Sequence, residues 1–342
     1  MTMNAKVQQG FTLVELMISI ALGLIVVAAG LSLFINGLKS SKLQEGVLNI
    51  QDSGIFGLEY VADHVRLANY ENVENRSLHD QTPLGGVVFS TGIPGTANVN
   101  LAVGNANTTT AYSTTILTQS ADVDGWDAVG NTDRQSDQLT IQFIAPQDMH
   151  NCEGQTVFRG DRVVQRYFLR VDANLPVYDE DLPRYGLACD ANTPATSVAN
   201  VRRNPQFLTG FSINNIGEII IPDVDYFGFI LGARVGNDFR YFTVKEYKDA
   251  LAAARLTPTP VLPTIEVIKM SILVKSANEI SGSEIDPNKT YSILGQDIKL
   301  KKPKSANRQN KFARQVYVKT IGIRNALGDR LGISLQIKKV SH

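Results

Sequence analysis

Glu15 is the only formally charged residue between Gly10 and Phe34, in the stretch GFTLVELMISIALGLIVVAAGLSLF. A carboxylate in that setting has two uses. It can pair with a cation where water is excluded, or it can rest at a membrane edge and stay solvated. At the centre of a bilayer helix it would cost about 2.5–3.5 kcal/mol, so its place near one end of the run matters. Two further groups invite a chemical reading. Cys152 and Cys189 are the only cysteines. In an exported chain they default to one disulfide, closing a loop of roughly 38 residues and stabilising the fold by about 3–4 kcal/mol through chain entropy. Lys299, Lys301, Lys302, Lys304, Arg308, Lys311 and Arg314 set seven cations within sixteen residues. That density suits contact with phosphates or with an acidic partner, although Phe312 is the only ring there that would stack on a base.

Catalytic patterns are missing from the sequence. It contains no G-x-S-x-G, H-E-x-x-H, P-loop or C-x-x-C. His64, His79, His150 and His342 are scattered, and His150 with Cys152 makes only two of the ligands a zinc site needs. Asp122–Asp133 (DVDGWDAVGNTD) looks like a calcium loop but puts Gly125 at the fourth position and Trp126 at the fifth, so an Asp/Gly turn is expected instead. No catalytic residue, metal or cofactor is expected, and an enzyme is not.

The elements that position these groups start with the apolar run. Phe11–Ile35 would extend about 37 Å as a helix, enough to cross a bilayer core of about 30 Å. A cleavable signal normally places its small-residue site after such a run. Here Gly10 comes before it, and Ile35–Lys42 (INGLKSSK) offers no site. A cut at Gly10 would therefore leave the membrane helix on the mature chain. Past Lys39, Leu43, Val47, Ile50, Gly54, Leu58, Val61, Val65 and Ala68 keep three- and four-residue spacings, with Glu45, Asp52, Glu59, Asp63 and Arg66 off that stripe. No proline interrupts Phe11–Glu74. One helix of about 55–60 residues is expected, ending near Asn69, Asn72 and Asn75. Gly23, Gly30 and Gly37 recur every seven residues along it; they either permit close helix approach or local softening, or are simply tolerated in a membrane helix.

GFTLVELMISIALGLI resembles the class III signal of type IV pilins. The resemblance implies that a prepilin peptidase cuts after Gly10 and methylates the amine of Phe11. It also implies that Glu15, fifth in the mature chain, pairs with the Phe11 amine of a neighbouring subunit in the filament core. Ile50–Asn72 (IQDSGIFGLEYVADHVRLANYEN) resembles the matching stretch of PilW-type minor pilins, and Ala313–Gly328 (ARQVYVKTIGIRNALG) resembles their closing strand. The implied role is a structural subunit that primes pilus assembly and sits at the tip, with twitching, adhesion or DNA uptake as the processes served. Implied partners are sister minor pilins, the major pilin, the prepilin peptidase, the inner-membrane assembly platform and, before assembly, membrane lipid. Lys6 would face the cytoplasm and the head the periplasm. A J-type pseudopilin of type II secretion shares this plan, and a tip-borne module for DNA or a surface is a further alternative, using the Lys299–Arg314 run or the loops of 81–136.

The chain has 342 residues, 33 basic and 33 acidic, so net charge points to no partner. Its ends differ, however: Lys299–His342 holds twelve Lys/Arg and one acid, Asp329. Strands are expected at Gln138–Ala145, Arg162–Val171, Gly217–Ile221, Phe227–Val235, Ile265–Val274, Gln315–Ile323 and Leu331–Val340, with shorter pieces at Gly86–Ser90 and Thr114–Thr118. Val244–Arg255 reads as the one later helix, broken by Thr257–Pro263 (TPTPVLP). Arg66 is expected to pair with a head acid or to stay solvated. The fold class is α+β: a long N-terminal helix, its first half transmembrane, packed on an antiparallel head with large loop insertions. The divisions are a leader at 1–10, a membrane or filament-core helix at 11–37, an amphipathic helix at 38–74 and a periplasmic head at 75–342.

Overall fold

The computed structural model describes residues 12–72, 75–92, 98–102, 116–120, 129–174, 183–192, 217–279, 286, 288–302 and 312–324. It opens with one helix, α1, Leu13–Val65, 53 residues long. Every residue from Thr12 to Glu45 is exposed. Burial begins at Gly46 and continues through Ile50, Gly54, Leu58, Val61, Ala62, His64 and Val65. The apolar stripe read from the sequence is thus the seat on the head from Ile50 onward, while Leu43 and Val47 remain outside it. Burying four such aliphatic side chains, at about 1.5–3 kcal/mol each, is what fixes the helix to the head.

Two four-stranded antiparallel sheets make the head. The first runs in the order β3-β6-β7-β8, from Leu139–Ile144, Arg162–Val171, Tyr185–Ala191 and Glu218–Ile221. The second runs β10-β9-β11-β14, from Asp238–Phe242, Val224–Val235, Thr264–Lys275 and Arg314–Gly322. Smaller pairs complete it: β1 and β2 (Thr91–Gly92, Leu101–Ala102), which are parallel, the hairpin β4–β5 (Met149–His150, Thr156–Val157), and the hairpin β12–β13 (Thr290–Ile293, Gln296–Lys299). A second helix, α2, spans Val244–Arg255 and lodges Tyr247 and Leu251 in the core. One main core joins α1 to both sheets, with Leu58, Val61, Tyr167, Leu187, Phe227 and Ile272 among its members.

The helix lies against the β14 edge of the second sheet and the β8 edge of the first. Gly54 faces the ring of Tyr317, and a Cβ placed on Gly57 would stand 2.7 Å from Ile221 Cγ1. Both glycines let the helix backbone approach a strand. Gly23, Gly30 and Gly37 have nothing within 4 Å. Glu59 and Lys319 form an ion pair across the α1–β14 contact. The lysine's hydrogen bond holds the Glu59 carboxyl below its ordinary range.

Several expectations need correction. The helix stops at Val65, nine residues short of Glu74. The main chain tightens there, with Leu67 N bonded to His64 O at 3.0 Å and Ala68 N to Val65 O at 3.0 Å. Asn69 then adopts a left-handed conformation, φ 63°, which asparagine tolerates better than most residues. In that pose its N–H donates to Gln142 O of β3 at 3.1 Å, and its side-chain oxygen accepts from Gly86 N at 3.1 Å. The sheet competes for this main chain and ends the helix. Arg66 pairs with its own helix, through Asp63 and, at 3.8 Å, Glu59, rather than with a head acid. Gly86–Ser90 contributes only one bridge residue, Val87, opposite Ile141, and 116–118 likewise form no strand. Leu331–Val340 lies outside the described residues.

Gly57→Val should lower the thermal midpoint of the full chain in detergent, with a loss of about 1–3 kcal/mol from overpacking against Ile221. Gly30→Ala, where the space is open, should leave that midpoint unchanged or slightly raised.

Candidate functional site

At the head-distal end of α1 the chain enters the helix through Thr12, whose backbone is extended at φ −78°, ψ 152°. Thr12 and Glu15 form a capping box. The Thr12 hydroxyl accepts from Glu15 N at 3.3 Å, and Glu15 Oε2 accepts from Thr12 N and Thr12 Oγ1, both at 2.9 Å. Each group satisfies a donor that a helix start leaves orphaned. Glu15 is therefore held by its own helix end, about one turn from where Phe11 begins. Gly10 and Phe11 lie outside the described residues. Downstream, Ser19 and Ser32 return their hydroxyls to Glu15 O at 2.7 Å and Ala28 O at 3.0 Å. Their polar groups are thereby spent inside the helix. Leu13, Leu24, Val26 and Leu33 are each at least 65% exposed, so this half has no covering from the head. Among the described residues α1 is the one helix long and apolar enough to cross a membrane.

The cysteines hold the other end of the helix. Cys152 and Cys189 are joined, with Cα atoms 6.1 Å apart. Cys189 lies at the centre of β7 and Cys152 in the β4–β5 turn, so the bond ties a surface hairpin to the first sheet. That turn also receives the helix. Tyr60 Oη donates towards Asn151 O at 3.3 Å and Cys152 O at 3.2 Å. One turn on, His64 packs edge-on against the Tyr60 ring, with centroids 4.9 Å apart. Gln165 Oε1 accepts from Tyr167 Oη at 2.7 Å, which leaves Gln165 Nε2 directed at His64 Nδ1, 3.2 Å away. This network assigns Nδ1 as an acceptor and the imidazole as neutral. Burial pushes the His64 pKa down to about 4. Glu153, beside the disulfide, moves the other way. Burial, with smaller effects from the nearby Asp190 and Glu218 charges, raises it to about 7.

The basic run does not form one surface. Arg314 is buried and donates to Asp225 Oδ2 at 2.6 Å, and Lys275 lies 3.6 Å from the same carboxylate. Burial alone would raise the Asp225 pKa, but these cations and the hydrogen bond from Asn131 outweigh it and hold the carboxyl below its ordinary range. Phe312 is only 7% exposed, lying under Lys275 and Arg314, so it offers no face to a base. Lys301 Nζ donates to Gly130 O at 2.8 Å. Lys299 and Lys302 are exposed. Lys304, Arg308 and Lys311 lie outside the described residues. Arg314 is thus removed from the expected patch, because the interior carboxylate Asp225 claims it. Most of the Asp122–Asp133 stretch is also outside the described residues. Asp133 itself accepts from Arg134 N and Lys299 N, both at 2.9 Å.

Among the described residues no group of three or more His, Cys, Asp or Glu is placed to hold a metal. A cavity of about 350 Å3 is lined by Tyr70, Glu71, Asn72, Gln142 and Arg162, among others. The described residues present a capped apolar rod seated on a disulfide-linked head. Sequence reasoning missed the role of Thr12, although T-x-x-E before an apolar run signals a capping box. It also missed the bracket of Tyr60, His64 and Gln165, which no local pattern announces.

Residues 5–31 match the prokaryotic N-terminal methylation motif. That segment contains Gly10, Phe11 and Glu15 and includes the first part of α1. A type IV-like pilin from Thermus thermophilus is similar in structure at a TM-score of 0.32 and 11% identity, covering 80% of this chain and 97% of that one. No curated protein sequence matches the chain.

The two opposed pKa shifts give a testable pH profile. His64, depressed from 6.5 to about 4, contributes stability that is complete above pH 6.5 and is lost as pH falls through that window. The loss is at most about 3 kcal/mol. Glu153, raised from 4.5 to about 7, contributes stability that is complete below pH 4.5 and is lost as pH rises through 7. Denaturant melts of the full chain in detergent should show His64→Gln flattening the acid limb and Glu153→Gln flattening the alkaline one.

Proposed function

We propose that the chain is a pilin-type structural subunit without catalytic turnover. It is inserted with residues 1–10 on the cytoplasmic side, cut after Gly10 by a prepilin peptidase, and methylated on the new Phe11 amine. The match of residues 5–31 to the methylation motif carries this reading. It draws support from the exposed apolar half of α1, which needs lipid before assembly and other helices after it. In the membrane Glu15 stays near the headgroups, capped by Thr12. In a filament the Phe11 amine of a neighbour takes the carboxylate, and a misregistered subunit leaves the charge unpaired at a cost of about 3–5 kcal/mol. The pairing therefore selects register.

The finer role we assign is that of a PilW-type minor pilin, which joins sister minor pilins to prime assembly on the inner-membrane platform and remains at the pilus tip. Residues 66–342, 277 in all, follow α1, and a head of that bulk fits a low-copy position better than every position of a packed fibre. Its service to twitching, adhesion or DNA uptake belongs to the same proposal.

Gly10→Leu should block cleavage, leaving a full-length chain in the inner membrane. Glu15→Ala should be cleaved and inserted normally yet fail to enter filaments. Immunoblots of membrane and sheared-filament fractions read both outcomes. Normal incorporation of the Glu15 variant would remove the pairing from the mechanism.

A further inference from the structure

Between Gly46 and Val65 the head covers one side of α1 and leaves the other bare. On the bare side Leu48 is 64% exposed, Ile55 54% and Phe56 70%. Glu45, Asp52 and Glu59 recur there at intervals of seven, because seven residues make nearly two helical turns. Leu48 and Ile55 flank this acidic line on one side and Phe56 on the other. Lys319 engages Glu59. Glu45 and Asp52 are exposed and, among the described residues, make no ion pair.

Lipid does not reach this face. The apolar run ends at Ile35, and Leu48 and Phe56 lie about 20 and 32 Å further along the axis. Resting on the reading of the chain as a membrane-anchored pilin-type subunit, we infer that this face docks the extramembrane helix of a different subunit. That partner sets Lys or Arg opposite Glu45 and Asp52, and apolar side chains against Leu48, Ile55 and Phe56. Apolar contact supplies the attraction, and the acidic line selects the partner and its axial position. A second copy of this chain is a poor occupant. Two copies anchored by the same apolar run sit at one depth, so the acidic line of one meets the acidic line of the other. Lys39 and Lys42 lie nearer the membrane than Glu45 and Asp52.

Photocrosslinking in the cells that make the protein tests this. A benzophenone amino acid replaces Leu48 or Ile55 in the full-length chain, and the joined peptides are sequenced by mass spectrometry. The expected adduct is to another membrane protein, within a helix that follows its own apolar segment, with Lys or Arg within one turn of the joined residue. Glu45→Lys combined with Asp52→Lys should cut its yield about tenfold, the equivalent of about 1.4 kcal/mol, and Glu45→Gln with Asp52→Gln should cut it less. Adducts between two copies of this chain, adducts to lipid alone, no adduct, or an adduct indifferent to charge reversal would each overturn the inference. Fractionation and the mature N-terminus, read on the same cells, separate the two levels. A chain cut after Gly10 and held in the membrane that gives no such adduct defeats the docking face alone, whereas an uncut chain defeats the reading beneath it.

Discussion

An apolar helix that its own head leaves uncovered has to be covered by something else. From Thr12 to Glu45 every residue of α1 is exposed, and most are aliphatic. Leaving that area in water would forgo roughly 25 cal/mol for each Å2 of apolar surface. The rest of the molecule is arranged around this debt. The capping box at Thr12 and Glu15 lets the rod begin cleanly with its first polar groups satisfied. Ser19 and Ser32 keep their hydroxyls within the helix. Such a rod suits either lipid or a bundle of its own kind, and it can pass from one to the other without refolding.

The opposite end is built for rigidity. The helix enters a groove between two sheet edges, where Gly54 and Gly57 permit close approach to Tyr317 and Ile221. Tyr60 hangs on the carbonyls of the disulfide turn, and His64 fits between Tyr60 and Gln165. Because Cys189 sits mid-strand in β7, the turn that receives Tyr60 is anchored in the core rather than in a loop. The rod is thus joined to the first sheet through Gly57, Tyr60 and His64, and to the second through the Glu59–Lys319 contact.

Much of this was legible in the sequence where one periodicity dominated. The strands Arg162–Val171 and Leu139–Ile144, the helix Val244–Arg255 and the stripe from Ile50 to Val65 all follow such patterns. Legibility failed where tertiary contacts decide. Tyr185–Ala191 (YGLACDA) is a strand buried on both faces, so it neither alternates nor carries β-branched residues. The hairpin partner Asp238–Phe242 follows a two-residue Gly236–Asn237 turn, a signal present in the sequence but overlooked. The basic run looked like a surface feature because charge is usually solvated. The Asp225 carboxylate that draws Arg314 inward lies 89 residues away in sequence, and no local pattern reports it. Of the candidate site, the segment that matches the methylation motif stood out in the sequence because its residues lie close together in the chain. The Tyr60–His64–Gln165 bracket could not, because it joins residues about 100 apart.

On the proposed reading, a processed, methylated rod end carries this protein into an assembly. Intact mass measurement of the protein drawn from membranes and from sheared surface fibres tests it most directly. The expected mass is that of residues 11–342, heavier by one CH2 for the methyl group that replaces a hydrogen on the Phe11 amine and lighter by the two hydrogens lost in joining Cys152 to Cys189. An assembled protein that still begins at Met1, or that carries an unmodified Phe11 in the fibre, would contradict it.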